Sequence, residues 1–167
     1  MRAASWYRLR CGNSAREARV SKIVVTTWGS LGDLHPYLAI GLELQRRGHE
    51  VTIAAAPGYQ PYVESLGLEF YSVRPDCQWL RDPQRVRWMS HPRWGLMRVG
   101  RELMGALPES YEDLLAASQG ADLLVSTMAM YAARLVAETT GMPWVSAVHI
   151  PLGFYSAWDP PVLDVAP

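Results

Sequence analysis

Short β-branched runs that alternate with amphipathic helical stretches constrain this chain more than any other feature. The first run, Lys22-Ile23-Val24-Val25-Thr26-Thr27, is apolar and β-branched, as suits a central strand covered on both faces. The period then changes. Leu34, Leu38 and Leu42 recur every four residues, with Ile40 and Leu44 beside them. Glu43 and Arg47 fall at i,i+4 on the outer side, and Gly48 supplies a stop. The rhythm repeats. Residues 50–56 read as a second strand, followed by Pro57-Gly58 and a short helix near residues 59–66. Residues 68–73 read as a third strand, and residues 108–118 as a helix with Leu114 and Leu115 inward. Residues 123–127 form a fourth strand, residues 128–140 a helix with Met128, Ala132, Leu135 and Val136 at core spacing, and residues 143–148 a fifth strand. This alternation predicts an α/β domain with a Rossmann-like, doubly wound parallel sheet. Right-handed crossovers would bring every strand's carboxyl end to one edge.

The loop joining the first strand to the first helix carries the densest chemistry. It holds Trp28, Gly29, Ser30, Gly32, Asp33, His35 and Pro36. Gly29 and Gly32 permit a tight turn and close backbone approach. Asp33 is the one carboxylate in the turn and falls where open α/β sheets bind ligands. Two roles are open to it, capping the helix or acting chemically, and they are compatible if the cap faces a cleft. The glycines do not make a dinucleotide fingerprint. That motif needs a third glycine and an acidic residue closing the second strand, which here ends in Ala54-Ala55-Ala56. A nicotinamide- or flavin-dependent oxidoreductase is therefore disfavoured.

At 167 residues, 49% apolar and 19% charged, the chain can bury a sizeable core as one globular domain. Its formal net charge is zero, which argues for neither a nucleic acid nor an acidic partner. Cys11 and Cys77 make no disulfide framework or metal site, and a reducing, cytoplasmic setting follows as the expectation. No apolar run reaches the ~18–20 residues of a membrane span. Residues 1–20 carry Arg2, Arg8, Arg10, Arg16 and Arg19 against Glu17. They resemble a disordered leader or a misplaced start more than a transit peptide.

Residues 74–101 break the rhythm. They hold Arg74, Arg81, Arg85, Arg87, Arg93, Arg98 and Arg101 with Trp79, Trp88 and Trp94. Arginine interleaved with tryptophan can stack on bases or rest on a membrane interface. The reading favoured here is a partly helical excursion packed on the domain and hanging over the same sheet edge as Asp33. His149 also falls just past a strand's carboxyl end, where a lone histidine packs more often than it catalyses. No Ser/His/Asp arrangement, metal-ligand spacing or internal repeat is legible.

The run Gly29-Ser30-Leu31-Gly32-Asp33-Leu34-His35-Pro36, with Arg47-Gly48-His49-Glu50-Val51-Thr52 after it, resembles the amino-terminal half of GT-B glycosyltransferases. The nearest likeness is to the sterol-glucosyltransferase, rhamnosyltransferase and antibiotic-glycosyltransferase group. Residues 121–126 and 137–145 are similar to that family's later strand–helix–strand unit, so the resemblance covers residues 21–153. It implies transfer of a hexose from a nucleotide-sugar donor, a UDP-sugar by expectation, to a hydroxyl of a lipid, sterol or other small apolar acceptor. Asp33 is implied as the general base, with Trp28, Gly29, Ser30, Gly32 and His35 in the loop facing substrate and phosphate. Trp79, Trp88, Trp94, Met128 and His149 are the expected acceptor wall. No metal or cofactor is implied, since the nucleotide-sugar is a substrate. Relatives with a Gly-His loop pair that histidine with an aspartate after the fourth strand. Here that place reads Val125-Ser126-Thr127-Met128, so Asp33 is expected to act without that partner.

The donor-binding carboxyl-terminal domain is not matched. The expectation is therefore that residues 21–167 form a partial, acceptor-side domain, inactive alone, with peripheral membrane contact open to it. The competing expectation is a non-enzymatic half-domain that binds a partner transferase.

Overall fold

A computed structural model describes residues 20–150, the side chains of Gln78 and Trp79 excepted. The arginine-rich leader and the Pro-rich residues 151–167 lie outside the described residues. The five expected strands are present: β1 (Lys22–Thr26), β2 (Glu50–Ala55), β3 (Glu69–Ser72), β4 (Leu123–Thr127) and β5 (Trp144–Ala147). All pairings are parallel, in the order β3-β2-β1-β4-β5. The chain winds outward from β1 twice, once through β2 to β3 and once through β4 to β5. The order reverses between β1 and β4, which is where open sheets form a ligand crevice.

Successive strand residues point to opposite faces, and each face has its own core. Ile23 and Val25 of β1 pack with Leu34, Tyr37 and Leu38 of α1 (Leu31–Arg46) and Val63 of α2 (Gln60–Ser65). Val24 between them packs with Leu114 of α5 (Leu107–Ala117) and Ala132, Ala133 and Val136 of α6 (Tyr131–Thr140). Leu34, Ile53, Leu114 and Leu124 are fully buried, each worth about 1.5–3 kcal/mol relative to exposure.

The helical expectations need three corrections. Leu42 is exposed on α1, and Tyr37 and Gly41 fill the inward places instead. The apolar stripe drifts around the helix because 3.6 residues per turn is less than a strict repeat of four. The sixth helix begins at Tyr131, so Met128 lies in the turn before it. Leu135 is exposed, and Ala133 takes the core position. Gly48 adopts a left-handed φ just past the end of α1, as the stop reading required, and Gly120 and Gly141 do the same after α5 and α6.

The excursion after β3 is helical in pieces. A short 3-10 turn (Gln78–Arg81) leads to α3 (Pro83–Met89) and α4 (Gly95–Gly105). Val99 and Leu103 of α4 pack against the α5/α6 core. Among the described residues β5 is a sheet edge, with Trp144 and Val145 exposed.

Candidate active site

The site begins with the cap of α1. Ser30 is the N-cap and Asp33 the third helical residue, a Ser-x-x-Asp arrangement in which the carboxylate reaches back over the helix start. Asp33 Oδ2 accepts hydrogen bonds from the Ser30 amide at 2.8 Å and the Ser30 hydroxyl at 2.9 Å. Asp33 is therefore not the N-cap itself but its reciprocal partner. Gly29 is the residue that makes room. Its φ is +130°, and a Cβ there would collide with the Asp33 carboxylate. Gly32 has no positive φ. It forms part of the first helical turn, so the tight turn is made by Gly29 alone. From the other side the Tyr59 hydroxyl donates to the Gly29 carbonyl at 2.8 Å.

The other carboxylate oxygen meets a residue from the far end of the sheet. His149 Nε2 lies 3.1 Å from Asp33 Oδ1, just past β5. The His149 side chain is 15% exposed and that of Asp33 34%. Tyr37 stands edge-on to the His149 ring at 5.6 Å, and its hydroxyl donates to the Ala147 carbonyl at 2.6 Å. His149 Nδ1 is buried and makes no hydrogen bond among the described residues. With Nε2 facing a carboxylate, the network assigns the proton to Nε2. His149 thus donates to Asp33, and its second nitrogen is closed off from solvent. Strand four supplies no carboxylate, as the residues implied. The partner of Asp33 comes instead from the segment just past β5.

Ser30, Leu31, Gly32 and His35, the residues around Asp33, line one end of a cavity of about 770 Å³. Ala56, Tyr59 and Tyr62 form a second wall, and Cys77, Leu80 and Arg81 a third. The lining is mostly apolar and aromatic with a few polar groups, the usual make-up of a small-molecule site. His35 stands edge-on to Tyr62 at 5.9 Å. Burial pushes the Cys77 thiol up to about 11 and the Tyr59 phenol up to about 12, with the negative charge of Asp33 adding to both. Burial likewise raises the Tyr37 phenol, against a hydrogen bond from Thr127 that lowers it. Cys77 and Tyr59 are thereby kept neutral at ordinary pH.

The other expected site residues divide. Trp28 does not face the loop's cleft; it is buried in the core. Trp88 lines a different, larger cavity of about 970 Å³ with Arg74, Met97, Arg98 and Arg101. Asp76 borders both cavities. Trp94 and Met128 line neither, and the side chain of Trp79 is not described. Of the expected acceptor wall, His149 is the member that touches Asp33. Sequence reasoning missed Tyr59 and Tyr62; Cys77, Leu80 and Arg81 belong to the excursion expected over this edge but were not singled out as site residues. Their one legible signal was position, since all follow the carboxyl ends of β2 and β3. Among the described residues no three His, Cys, Asp or Glu side chains gather as a metal site.

Comparison with known proteins agrees with this fold. Residues 23–150 match the profile of the glycosyltransferase family 28 N-terminal domain. An uncharacterized glycosyltransferase of Mycobacterium tuberculosis is 37% identical over 138 residues, covering 77% of this chain and 32% of the relative. The O-mycaminosyltylonolide 6-deoxyallosyltransferase of Streptomyces fradiae is 33% identical, covering 86% of this chain and 34% of the relative. The chain thus spans about a third of the length of the curated relatives it matches. Among solved structures, the Streptomyces glycosyltransferase SsfS6 superposes with a TM-score of 0.62 at 25% identity, covering 77% of this chain and 39% of that one. The calicheamicin glycosyltransferase CalG4 gives 0.58 at 23% identity, covering 84% of this chain and 36% of its own, and bears on the fold alone.

Proposed function

The chain belongs to the glycosyltransferase family 28 N-terminal-domain family, and on that premise we propose that it is the acceptor side of a hexosyltransferase with Asp33 as general base. One observation carries this reading. A partly exposed carboxylate stands just past the carboxyl end of the central strand, oriented on both oxygens, and its neighbours Ser30, Leu31, Gly32 and His35 line one end of an apolar cavity. The acceptor hydroxyl sits at the Asp33 end of that cavity. Asp33 takes its proton as the acceptor oxygen bonds to the anomeric carbon of a nucleotide-sugar, a UDP-sugar in this reading. The nucleoside diphosphate departs from the opposite face with inversion. In this reading the early amides of α1 meet its charge. His149 does not take the proton; it steadies the carboxylate that does. The apolar lining from Leu31, Tyr59, Tyr62 and Leu80 favours a lipid, sterol or similarly apolar acceptor over a polar sugar.

Sugar transfer requires donor and acceptor in one assembly. The test therefore combines this chain with a donor-binding glycosyltransferase domain, labelled UDP-glucose and a sterol acceptor. Transfer that disappears with Asp33→Asn supports the reading. A stable complex that transfers nothing to any of a panel of apolar alcohols points instead to a non-enzymatic module bound to a partner transferase.

A further inference from the structure

Tyr59 and Asp33 hold one peptide unit from opposite ends. The Tyr59 hydroxyl donates to the Gly29 carbonyl at 2.8 Å. The N–H of that same unit, the Ser30 amide, donates to Asp33 Oδ2 at 2.8 Å. A peptide unit is planar, so its carbonyl and its N–H turn together. Whatever fixes the Gly29 carbonyl therefore fixes the direction from which the Ser30 amide meets the carboxylate.

This plane needs holding. Gly29 sits at φ +130° and has no side chain to pin it. Rotation of the unit would carry the Ser30 amide away from Asp33 and leave the Ser30 hydroxyl, at 2.9 Å, as the donor to Oδ2. Tyr59 opposes that rotation from a rigid base. It closes the 3-10 turn Pro57–Tyr59 that follows β2, and its ring packs against both cores of the sheet. β2 in turn is paired with β1 up to Ala54 and Thr26, and the Thr27 amide donates to the Ala54 carbonyl at 3.3 Å. The phenol and the loop it grips are thus anchored to the same two strands. A hydrogen bond on the carbonyl also polarises the unit and makes its N–H a stronger donor. Burial pushes the phenol up to about 12, so the hydroxyl keeps its proton at ordinary pH.

We propose that the Tyr59 hydroxyl is a positioning group for Asp33, acting through the Gly29–Ser30 peptide unit, while its ring serves as cavity wall. The effect on catalysis rests on the sugar-transfer reading; the grip on the loop does not.

Tyr59→Phe keeps the ring and removes the hydroxyl. The first measurement uses the full chain alone, with amide hydrogen exchange followed by NMR. The Ser30 amide should exchange about tenfold faster in the variant, while Ile53 and Leu124 in the core strands keep their protection. The second uses the chain assembled with a donor-binding domain. Tyr59→Phe should lower kcat about tenfold and leave KM for the acceptor within about twofold. The loss is smaller than for Asp33→Asn because the Ser30 hydroxyl still reaches Oδ2. In an Asp33→Asn background Tyr59→Phe should cost nothing further, since the carboxylate it aims is gone, whereas a merely structural tyrosine would cost the same in both backgrounds.

Unchanged Ser30 exchange would overturn the proposal. So would additive losses in the double variant, or a raised KM with unchanged kcat. Protection lost in the strands as well would reduce Tyr59 to packing. An unaltered assembly that transfers nothing, with Ser30 exchange responding as expected, would remove the sugar-transfer reading and the catalytic effect with it, and leave the grip on the loop standing.

Discussion

His149 Nε2 and Asp33 Oδ1 stand 3.1 Å apart across 116 residues of sequence. The contact joins the ends of β1 and β5 over the intervening β4, and it places a proton donor on the oxygen that Ser30 leaves free. In the assembled transferase, Asp33→Asn should cut turnover by about 10²–10⁴. Turnover within a few-fold of the unaltered enzyme would move the base elsewhere.

A positioning residue should behave differently from the base. His149→Ala should lower kcat about ten- to hundredfold while leaving KM for the acceptor near its original value. His149→Gln, whose amide can still donate to Asp33, should recover part of the loss. Equal loss in both variants together with a lowered melting temperature would reduce His149 to a packing role.

Gly29 has a stability signature that can be read on the chain alone. Its positive φ and its contact with the Asp33 carboxylate leave no room for a methyl group. Gly29→Ala should destabilise the fold by about 1–3 kcal/mol, measured by urea unfolding. An unchanged midpoint would mean that the turn relaxes freely, and with it the fixed aim of Asp33.

The pH dependence on the alkaline side includes the shares of buried Cys77 and half-buried Tyr59. Cys77 is raised from 9.0 to about 11 and Tyr59 from 10.0 to about 12, both chiefly by burial. Each folded value lies above its unfolded one, so the native state holds more protons in those windows and stability falls as pH rises. Loss should begin near pH 9, with the Cys77 share complete by about 11 and the Tyr59 share by about 12. Cys77→Ala should flatten the lower part of the curve. A profile unaltered by that change would show that the thiol is not shielded as the structure places it.

Hydrogen exchange should separate the scaffold from the excursion. Amides in α3 and α4 should exchange faster than those of β1, β2 and β4. The strands sit inside a two-sided core, whereas these helices expose much of their surface. Uniform protection would fuse the excursion with the sheet as one cooperative unit.

The scaffold was readable because its signals are local. β-branched runs, four-residue spacing and left-handed stop glycines such as Gly48 and Gly141 each report on a few neighbouring residues. The position of Asp33 was readable for the same reason, but its role at the helix start was misassigned: the sequence reads Asp33 as a candidate N-cap, whereas Ser30 is the cap and Asp33, three residues on, its capping-box partner. The rest of the site was not readable. His149 reaches Asp33 only because β5 lies two strands from β1 in the folded order, and the spacing along the chain does not encode that order. Tyr59 and Cys77 join the cavity through the same lateral arrangement. Trp28 went the other way. A large ring next to a glycine turn looked available to substrate, yet the strand's alternation carries it into the core.

The capping box has a consequence for how such a chain changes over generations. Asp33 serves the folding of α1 through Ser30 and, in the reading proposed here, the chemistry as well. Selection for a folded helix alone would retain it. A copy drifting away from sugar transfer would keep Asp33 long after its chemistry had gone, whereas His149, which caps nothing, would be free to change. Among relatives of this chain, the histidine rather than the aspartate is the residue whose persistence marks a site still under selection for activity.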